Sequence, residues 1–539
     1  MTVNNKKLYI SIIILLAIGL IYLFLGSNYK LNIYDEAIGI YGAKRVAQGD
    51  IPYRDFWTLY APGYFYILAF LLNIAGWTIF NERLFSIAFM LLPPVIAFLI
   101  AKKYLKINYS YLVFIFIVIW TGYCSFYGKS VPLALGMGIL SLLFVIKFIE
   151  TKKTLNLIIS GIITGLTAYF RIEFGAYIFI SVIISIFIYF HLIKDLKEYK
   201  ISFYLLLKYL FFYILIIVIA LLPAVIYFLV NVSFRDLYQQ LIYAPSEIYP
   251  RFRTLQLPMP FLIATDMTGY SQTRIIELFV DSIVFYIPLV VYFITFWKLI
   301  SIVLGKRINE NTNVFFIKLI LLLSGLIFYS QASVRSEKEH LFSTMAIALI
   351  LIVFLFFESK FKWQKFIYII TITLTLSMPV ENRLKMIYKS YISKNTYWYK
   401  SHELKYICDV RSKADNFEKA VNYLKFSIPQ NEKIFVGNYS HDRILLNDLM
   451  FYFLSGKDAC TKYHELHPGI ATTHKVQKEI INDLQKNNVN YLVLCENNEF
   501  TEQNESSISS GVFVLDNFIH DNYALYKQFG TNQIWKKKY

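Results

Sequence analysis

Two adjacent acids near the N-terminus have the residue types that proton transfer requires. Asp35 and Glu36 follow an apolar segment and begin a helix-like stretch that ends at Gly49. Because neighbouring residues of a helix point about 100° apart, one acid can face a site while the other holds a backbone amide or a basic partner. The pair could therefore supply a general base at a membrane surface. The simpler interpretation is that Asp35 only caps the helix.

A charged turn, Arg171-Ile172-Glu173, joins two apolar stretches. Charged groups in such a turn must face water, the protein interior or a lipid headgroup. One interpretation is an ion pair that ties two helices together. The other is that Arg171 contacts an anionic lipid-linked substrate, which Glu173 helps to orient.

The proline-rich segment 249–260 places two arginines two residues apart. Prolines stiffen the backbone, and on an extended segment Arg251 and Arg253 would project to the same face. Two guanidinium groups on one rigid face suit a phosphate or pyrophosphate, with Tyr249 beside them. The alternative is that they bind anionic lipid headgroups without a catalytic role.

A short loop ahead of a later apolar run contains Arg335, Lys338 and His340. Membrane topology does not require basic residues in this loop, so Arg335 and His340 are candidate ligands of an anionic group. A histidine that begins a helix can also be an ordinary surface residue.

A membrane-embedded scaffold must position these groups. The chain has 539 residues, of which 57% are hydrophobic and only 17% are charged, a balance that excludes an ordinary soluble enzyme. Residues 62–80 could cross the membrane or lie at its surface as an amphipathic helix. Apart from them, eleven apolar segments are predicted spans, at 8–25, 84–101, 109–121, 131–147, 157–170, 174–193, 203–230, 279–300, 314–331, 341–357 and 364–380.

The net charge of +17 is mainly a signal of orientation. If residues 62–80 do not cross, six short loops with two or three basic residues each lie on one side, which the positive-inside rule makes cytoplasmic. The N-terminus is then cytoplasmic, the candidate site residues face outward, and the protein is a multi-pass protein of the cell membrane. No nucleic-acid partner is needed to explain the charge.

Residues 381–539 have the composition of a soluble domain, separate from a transmembrane catalytic domain over 1–380. Without a phosphate-binding glycine motif or a nucleophile elbow, this extracytoplasmic α/β domain is expected to be a scaffold, an acceptor-docking unit or a lid. Cys460 and Cys495 could form a disulfide or remain free thiols. The helices predicted for the C-terminal domain are 415–427, 446–455 and 474–487, and the predicted strands are 433–437, 491–495 and 523–528.

The first outer loop has an ordered set of motifs: the two acids, a helix, a Gly-x-x-Pro-Tyr sequence, a Pro-Gly pair, an apolar helix and an arginine at the next span. The residues in question are Asp35, Glu36, Gly49, Pro52, Tyr53, Pro62 and Arg83. The loop resembles the first outer loop of GT-C glycosyltransferases, the class that includes bacterial aminoarabinose transferases and protein mannosyltransferases. The resemblance implies two juxtamembrane helices, an inverting transfer, and acceptor-binding or loop-shaping roles for Tyr53, Arg54, Pro62 and Arg83.

The sequence therefore predicts a mainly α polytopic membrane protein that moves a sugar from a polyprenyl-phosphate donor to a hydroxyl of a glycan, lipid or protein acceptor. Asp35 would be the base, with Glu36 as its support or as a contact to the acceptor. The two acids could also hold a divalent cation, but the GT-C class does not uniformly require one, so no metal is assigned. A lipid-linked-glycan flippase and a non-catalytic subunit of an envelope-assembly complex are the alternatives. The candidate phosphate-binding residues are Arg171, Glu173, Tyr249, Arg251, Arg253, Arg335, Lys338 and His340.

Overall fold

The computed structural model describes residues 3–194, 203–259, 271–305, 312–496 and 502–538. A bundle of helices is followed by a small α/β domain. The first helices are α1 (Val3–Phe24), α2 (Asp35–Ala47), α3 (Gly63–Ala75), α4 (Ile79–Met90), α5 (Leu92–Tyr104), α6 (Ile107–Cys124), α7 (Val131–Thr151), α8 (Thr154–Phe170), α9 (Ile172–Lys194) and α10 (Phe203–Asn231). The later ones are α11 (Phe234–Tyr238), a π-helix (Gln239–Ile248), α12 (Tyr249–Phe252), α13 (Gln272–Val284), α14 (Ile287–Leu304), α15 (Thr312–Val334), α16 (Lys338–Glu358) and α17 (Lys362–Tyr391).

Eight helical segments within the described residues are long and apolar enough to cross a membrane. They are α4 together with α5, then α6, α7, α9, α10, α14, α15 and α16. The other three predicted spans are also helical, but the apolar parts of α1 and α8 are shorter and α17 does not meet the same criterion. The predicted class, a mainly α polytopic membrane protein, is confirmed.

The helices differ greatly in burial. In the most apolar part of α16, 83% of the residues are buried inside the protein, compared with 11% in α10. A helix that is apolar on all sides and covered by its neighbours belongs at the centre of a bundle, whereas α10 lies at the periphery with an apolar surface suited to lipid. The loop that precedes α16 therefore lies at one end of the most buried helix of the bundle.

Two short helices of the first loop pack against each other and against the bundle. The ambiguous segment 62–80 contains α3, a short apolar helix that contacts α2. Glycines make the close approaches possible: a Cβ at Gly39 would overlap the carbonyl oxygen of Gly128, and a Cβ at Gly63 would lie 2.6 Å from the ring of Tyr169. These contacts hold α2 and α3 on the ends of the neighbouring helices.

The C-terminal domain is an α/β unit, as predicted. α17 continues to Tyr391, and two strands, β1 (Thr396–Trp398) and β2 (Cys408–Val410), then pair in an antiparallel manner. A second sheet has the order β3-β4-β6-β5, in which only β3 and β4 are parallel. Its strands are β3 (Ile434–Asn438), β4 (Tyr491–Cys495), β5 (Tyr523–Phe529) and β6 (Asn532–Lys537), and the domain helices are α18 (Arg411–Ser427), α19 (Met450–Ser455), α20 (His474–Lys486) and α21 (Val514–Asn522). The thiols of Cys460 and Cys495 are buried and free.

This domain docks directly on the first loop. The backbone N–H of Trp57 donates to the carbonyl of Lys462 at 2.9 Å, and the N–H of Ala459 donates to the Tyr41 hydroxyl at 2.9 Å. A guanidinium nitrogen of Arg45 also lies 3.2 Å from Nδ1 of His464. The C-terminal domain therefore forms part of the wall around the acids of α2.

Candidate active site

Glu36 is fully buried and is held by Arg83 of α4. Arg83 donates from Nε and Nη2 to the two carboxylate oxygens at 2.6 and 2.8 Å. It also donates to the carbonyls of Ser27 and Lys30 at 2.5 and 2.9 Å, and the N–H of Asn32 donates to Glu36 at 3.2 Å. A buried ion pair with this many hydrogen bonds orders the loop. Glu36 thus holds the start of α2, and its role as a support of Asp35 stays a prediction.

Glu82 anchors the loop between α6 and α7 against α2. Its Oε1 accepts from the N–H of Gly128 at 2.7 Å and from the hydroxyl of Ser86 at 2.5 Å. A Cβ at Gly128 would lie only 2.5 Å from Cα and 2.7 Å from the carbonyl oxygen of Glu36, and the φ angle there is +70°. Both the space and the backbone angle require glycine.

Replacing Gly128 by alanine is expected to lower the free energy of unfolding by about 2–5 kcal/mol, from the left-handed backbone and the steric overlap together. Gly511 is a matched control, because its φ is +69° but no atom lies within 4 Å of a Cβ there. Thermal unfolding of the two purified variants in detergent measures the difference. Equal shifts for Gly128→Ala and Gly511→Ala would show that the contact with Glu36 is unimportant.

Asp35 is the accessible member of the acid pair. Its side chain remains 38% exposed, and Lys129 lies 3.1 Å away. The side-chain amide of Asn32 donates to the same carboxylate at 3.3 Å. Burial by the surrounding protein opposes ionisation, but the charge of Lys129 and the two hydrogen bonds outweigh it and hold the pKa of Asp35 below its ordinary value. At neutral pH Asp35 is therefore an ionised carboxylate that a substrate can reach.

The interpretation of Asp35 as a helix cap is wrong. Tyr34 occupies the N-cap position of α2 and makes no side-chain cap. Instead, Asn32 Oδ1 accepts from the backbone N–H groups of Tyr34 and Asp35 at 3.1 and 2.9 Å. The carboxylate of Asp35 is thus not used as a helix cap, and its partners are Lys129 and the side chain of Asn32.

Lys129 links Asp35 to the central helix, since its ammonium group also pairs with Glu339 in the first turn of α16. Lys129 is a single basic residue in a short loop without a motif, so its residue type alone did not mark it as part of the site. Its one sequence signal is its position in an otherwise uncharged loop on the same side as Asp35.

Arg253 provides a cation without an acidic partner near Asp35. One of its nitrogens donates to the carbonyl of Leu445 at 3.3 Å, and no carboxylate of the described residues forms an ion pair with it. Its positive charge acts on Asp35, Tyr60 and Tyr249. A partly buried guanidinium with free donors is suited to binding an anionic group.

Arg251 has a different environment, so the expectation that both arginines project to one face is wrong. Residues 249–252 form the helical turn α12 rather than an extended segment. Arg251 is 61% exposed and pairs with Glu505 through two hydrogen bonds of 3.0 and 2.8 Å. It borders a cleft of about 540 Å³ whose lining includes neither Asp35 nor Arg253.

Arg335 is buried and its terminal nitrogens are occupied. They donate to Glu502 at 2.7 and 3.1 Å, to Glu337 at 2.6 Å and to the carbonyl of Arg253 at 2.5 Å. These contacts connect the loop before α16, the proline-rich segment and the C-terminal domain. Arg335 therefore holds Arg253 in place, which corrects its predicted role as a phosphate ligand.

The turn after α8 contains the predicted ion pair. Nε of Arg171 lies 2.6 Å from a carboxylate oxygen of Glu173, and its guanidinium lies over the ring of Phe174 at 4.9 Å. Glu173 also accepts from Gln331 at 3.3 Å, so the pair connects α9 to α15. The charge of Arg171 still reaches Tyr249. Arg171 thus contributes to the positive field at the edge of the site.

Lys338 and His340 have different surroundings, although both lie in the first turn of α16. Lys338 is exposed, lies 3.6 Å from Asp281 and has its ammonium group over the ring of Tyr123. The positive charges of Arg171, Arg335, Lys129 and Arg253 all act on His340. The structure therefore brings His340 to the cationic side of the site, whereas Lys338 has partners elsewhere.

Three further residues named by the resemblance shape or flank the first loop. Tyr53 is buried with φ of +71°, and its hydroxyl donates to the carbonyl of Tyr60 at 2.8 Å. Pro62 is the N-cap of α3 and is also buried. Arg54 is exposed and pairs with its neighbour Asp55 at 2.8 Å. Tyr53 and Pro62 therefore maintain the loop conformation, while Arg54 lies on its surface.

The idea that both acids hold one divalent cation does not fit this geometry, because Arg83 occupies both oxygens of Glu36. In the described part of the chain, no group of three or more His, Cys, Asp and Glu side chains could hold a metal ion.

Sequence reasoning missed one acid of the site entirely. Glu465 of the C-terminal domain is buried and accepts a hydrogen bond of 3.0 Å from the hydroxyl of Tyr34, a residue 431 positions earlier. The only local signal was the unusual polar sequence around it, in which His464 and His467 are also buried.

Comparisons with known proteins agree with this architecture. No protein-family model matches the chain, and no curated protein matches it. Among 14 matching chains of solved structures is the crystal structure of ArnT from Cupriavidus metallidurans in the apo state. The two share 9% sequence identity, superpose with a TM-score of 0.54, and match over 98% of each chain. This protein therefore has the GT-C fold of ArnT, including the arrangement of membrane helices and C-terminal domain.

Proposed function

We propose that this protein is a GT-C type membrane glycosyltransferase that moves a sugar from a polyprenyl-phosphate donor to an acceptor hydroxyl. The observation that carries the proposal is that an accessible, ionised Asp35 lies within the electrostatic influence of Arg253, a cation without an acidic partner among the described residues. A base for the acceptor and a cation for the departing phosphate are the two groups that this reaction needs. The similarity in fold to ArnT supports the same class of reaction.

In the proposed reaction, the acceptor O–H bond breaks and its proton passes to the carboxylate of Asp35. The acceptor oxygen forms a bond to the anomeric carbon, while the bond from that carbon to the phosphate oxygen breaks. The electron pair of the broken bond leaves on polyprenyl phosphate, and attack from the opposite side inverts the anomeric configuration. Arg253 stabilises the negative charge that grows on the phosphate, and Arg171 adds to the positive field.

The neighbours of Asp35 suit this role. Lys129 keeps the carboxylate ionised in a partly buried place, and Glu36 with Arg83 fixes the start of α2. Preorganised groups of this kind do not have to rearrange during the reaction.

We further infer that the site faces the extracytoplasmic side of the cell membrane, with the N-terminus in the cytoplasm. The basic short loops support this orientation. The lipid chain of the donor would lie among the apolar helices, with its phosphate at the level of Arg253. A glycan, lipid or protein of the cell envelope would be the acceptor.

Replacing Arg253 by glutamine is expected to lower kcat/KM for the donor by about 100- to 1,000-fold, the usual cost of removing one group that stabilises a developing anion. The measurement is the initial rate of sugar transfer by the protein in proteoliposomes that contain a polyprenyl-phosphate sugar. Mass spectrometry of glycolipids and glycans from cells with and without the gene identifies the donor and acceptor.

Arg251 is a matched control, since it lies two residues away but is exposed and paired with Glu505. Arg251→Gln should retain kcat/KM within about threefold, because exposed ion pairs contribute little. Equal losses in the two variants, or no loss in Arg253→Gln, would contradict the assignment of the phosphate to Arg253.

A further inference from the structure

Glu465 is a buried acid of the C-terminal domain with a rigid support. Only 1% of its surface is exposed. Asn447 fixes the backbone on both sides of it: the side-chain amide donates to the carbonyl of His464 at 2.9 Å, and the side-chain oxygen accepts from the N–H of Leu466 at 3.1 Å. The carboxyl group accepts a hydrogen bond from Tyr34, the residue before the proposed base. The domain thus delivers an acid into the transfer site.

The charged and titratable groups that act on Glu465 are Tyr34, Asp35 and Arg253, and its own charge acts on Tyr60. Burial raises the pKa of Glu465 to about 8, and the negative charge of Asp35 adds to this effect, while Tyr34 and Arg253 oppose it. The carboxyl group is therefore largely neutral at pH 7. The geometry agrees with this. Arg253 donates to the carbonyl of Leu445, two residues before the Asn447 that holds the backbone around Glu465, and no cation of the described residues forms an ion pair with the buried carboxyl group.

We propose that Glu465 is a positioning residue which, by remaining uncharged, leaves Arg253 free to bind the phosphate of the lipid-linked donor. An ionised Glu465 would compete for the guanidinium and repel the phosphate in a poorly solvated place. Phosphate binding and retention of the proton on Glu465 therefore favour each other. The inference rests on the proposed function, because it specifies how the C-terminal domain adjusts the donor side of that site.

The test is the affinity of the purified full-length protein for a short-chain polyprenyl phosphate, measured at about pH 7 and about pH 9. If only the protein with neutral Glu465 binds, a pKa near 8 predicts that Kd rises about tenfold over this interval. In Glu465→Gln, which keeps an oxygen to accept from Tyr34, the rise attributable to the protein should be less than about twofold.

Glu479→Gln is the matched control. Glu479 also accepts a hydrogen bond from a tyrosine, Tyr463, at 2.7 Å in the same domain, but its side chain is 33% exposed and lies beside Lys462 and Lys475. Its pH dependence should equal that of the unmodified protein, which also cancels the titration of the ligand phosphate itself. Equal pH dependence in Glu465→Gln and the unmodified protein would overturn the inference.

A second variant separates the electrostatic effect from a loss of folding. Tyr34→Phe removes the hydrogen bond that lowers the pKa of Glu465, so the loss of affinity should move to higher pH. A shift to lower pH, or none, would count against the inference.

The binding measurement does not require turnover, so the two proposals can fail separately. If phosphate binding shows the expected difference but no transfer occurs from any polyprenyl-phosphate sugar, the proposed function fails and the inference about Glu465 holds for phosphate binding. If transfer occurs and Glu465→Gln binds with unchanged pH dependence, the inference fails and the proposed function stands.

Discussion

Replacing Asp35 by asparagine is expected to lower the rate of sugar transfer by about 100- to 10,000-fold, the contribution usually made by a positioned general base. The amide has nearly the same shape and can still accept from Asn32, but it cannot take the proton of the acceptor hydroxyl. Because Asp35 is ionised and accessible in the resting protein, the loss should appear in kcat over the whole neutral pH range. The measurement is the initial rate in proteoliposomes at saturating donor.

Asp50 offers a control with the same substitution in the same loop. Its carboxylate pairs with Arg45 at 2.7 Å and is partly exposed at the end of α2. Asp50→Asn should retain most of the activity, while Asp35→Asn should unfold at about the temperature of the unmodified protein. Near-full activity in correctly folded Asp35→Asn would rule out Asp35 as the base, whereas absence of transfer in the unmodified protein as well would favour a transporter or a non-catalytic subunit.

The second large effect is expected from the buried ion pair between Glu36 and Arg83. Arg83→Met leaves the carboxylate of Glu36 buried without its partner, which typically costs about 3–5 kcal/mol of stability. Both side chains are almost fully buried, so water cannot replace the lost hydrogen bonds. The variant should show a much lower unfolding temperature in detergent and a lower yield of folded protein.

An exposed pair in the C-terminal domain provides the comparison. Asp415 and Lys419 lie at 2.6 Å with both side chains exposed, so Asp415→Asn should cost less than about 1 kcal/mol. Adding Glu36→Gln to Arg83→Met should recover part of the lost stability, because the second change removes the unpaired charge. If the double variant is no more stable than Arg83→Met, the pair is not what holds the loop.

Most of the architecture was predictable from the sequence because apolar runs and strand alternation are properties of consecutive residues. The strand at 491–495 has the predicted ends, and α20 ends within one residue of its prediction. The short strands β1 and β2 and the C-terminal strand β6 were missed, because β1 and β2 have only three residues each and polar residues interrupt the pattern of β6. The strand conformation of β1 and β2 depends on their pairing with each other, and that of β6 on its pairing with β4 and β5.

The site was predictable only in part. Asp35, with Glu36 as its support, and Arg253 could be named because their residue types and spacing suggest proton transfer and phosphate binding. The sequence could not separate Arg253 from Arg251, since the difference lies in Glu505, a partner 254 residues away from Arg251. Nor could it show that the terminal nitrogens of Arg335 are already occupied.

The sequence by itself determined that the protein lies in a membrane, which loops are rich in basic residues, and where two adjacent acids begin a helix. Hydrophobicity and local spacing are sufficient for these conclusions. Only the tertiary structure decided which charges neutralise one another. Arg83 engages Glu36 and leaves Asp35 accessible, Arg335 holds the backbone of Arg253, and Glu465 enters the site from the C-terminal domain. The physical reason is that the state of a charged group depends on its burial and its nearest partners, and in this fold those partners lie on distant segments of the chain.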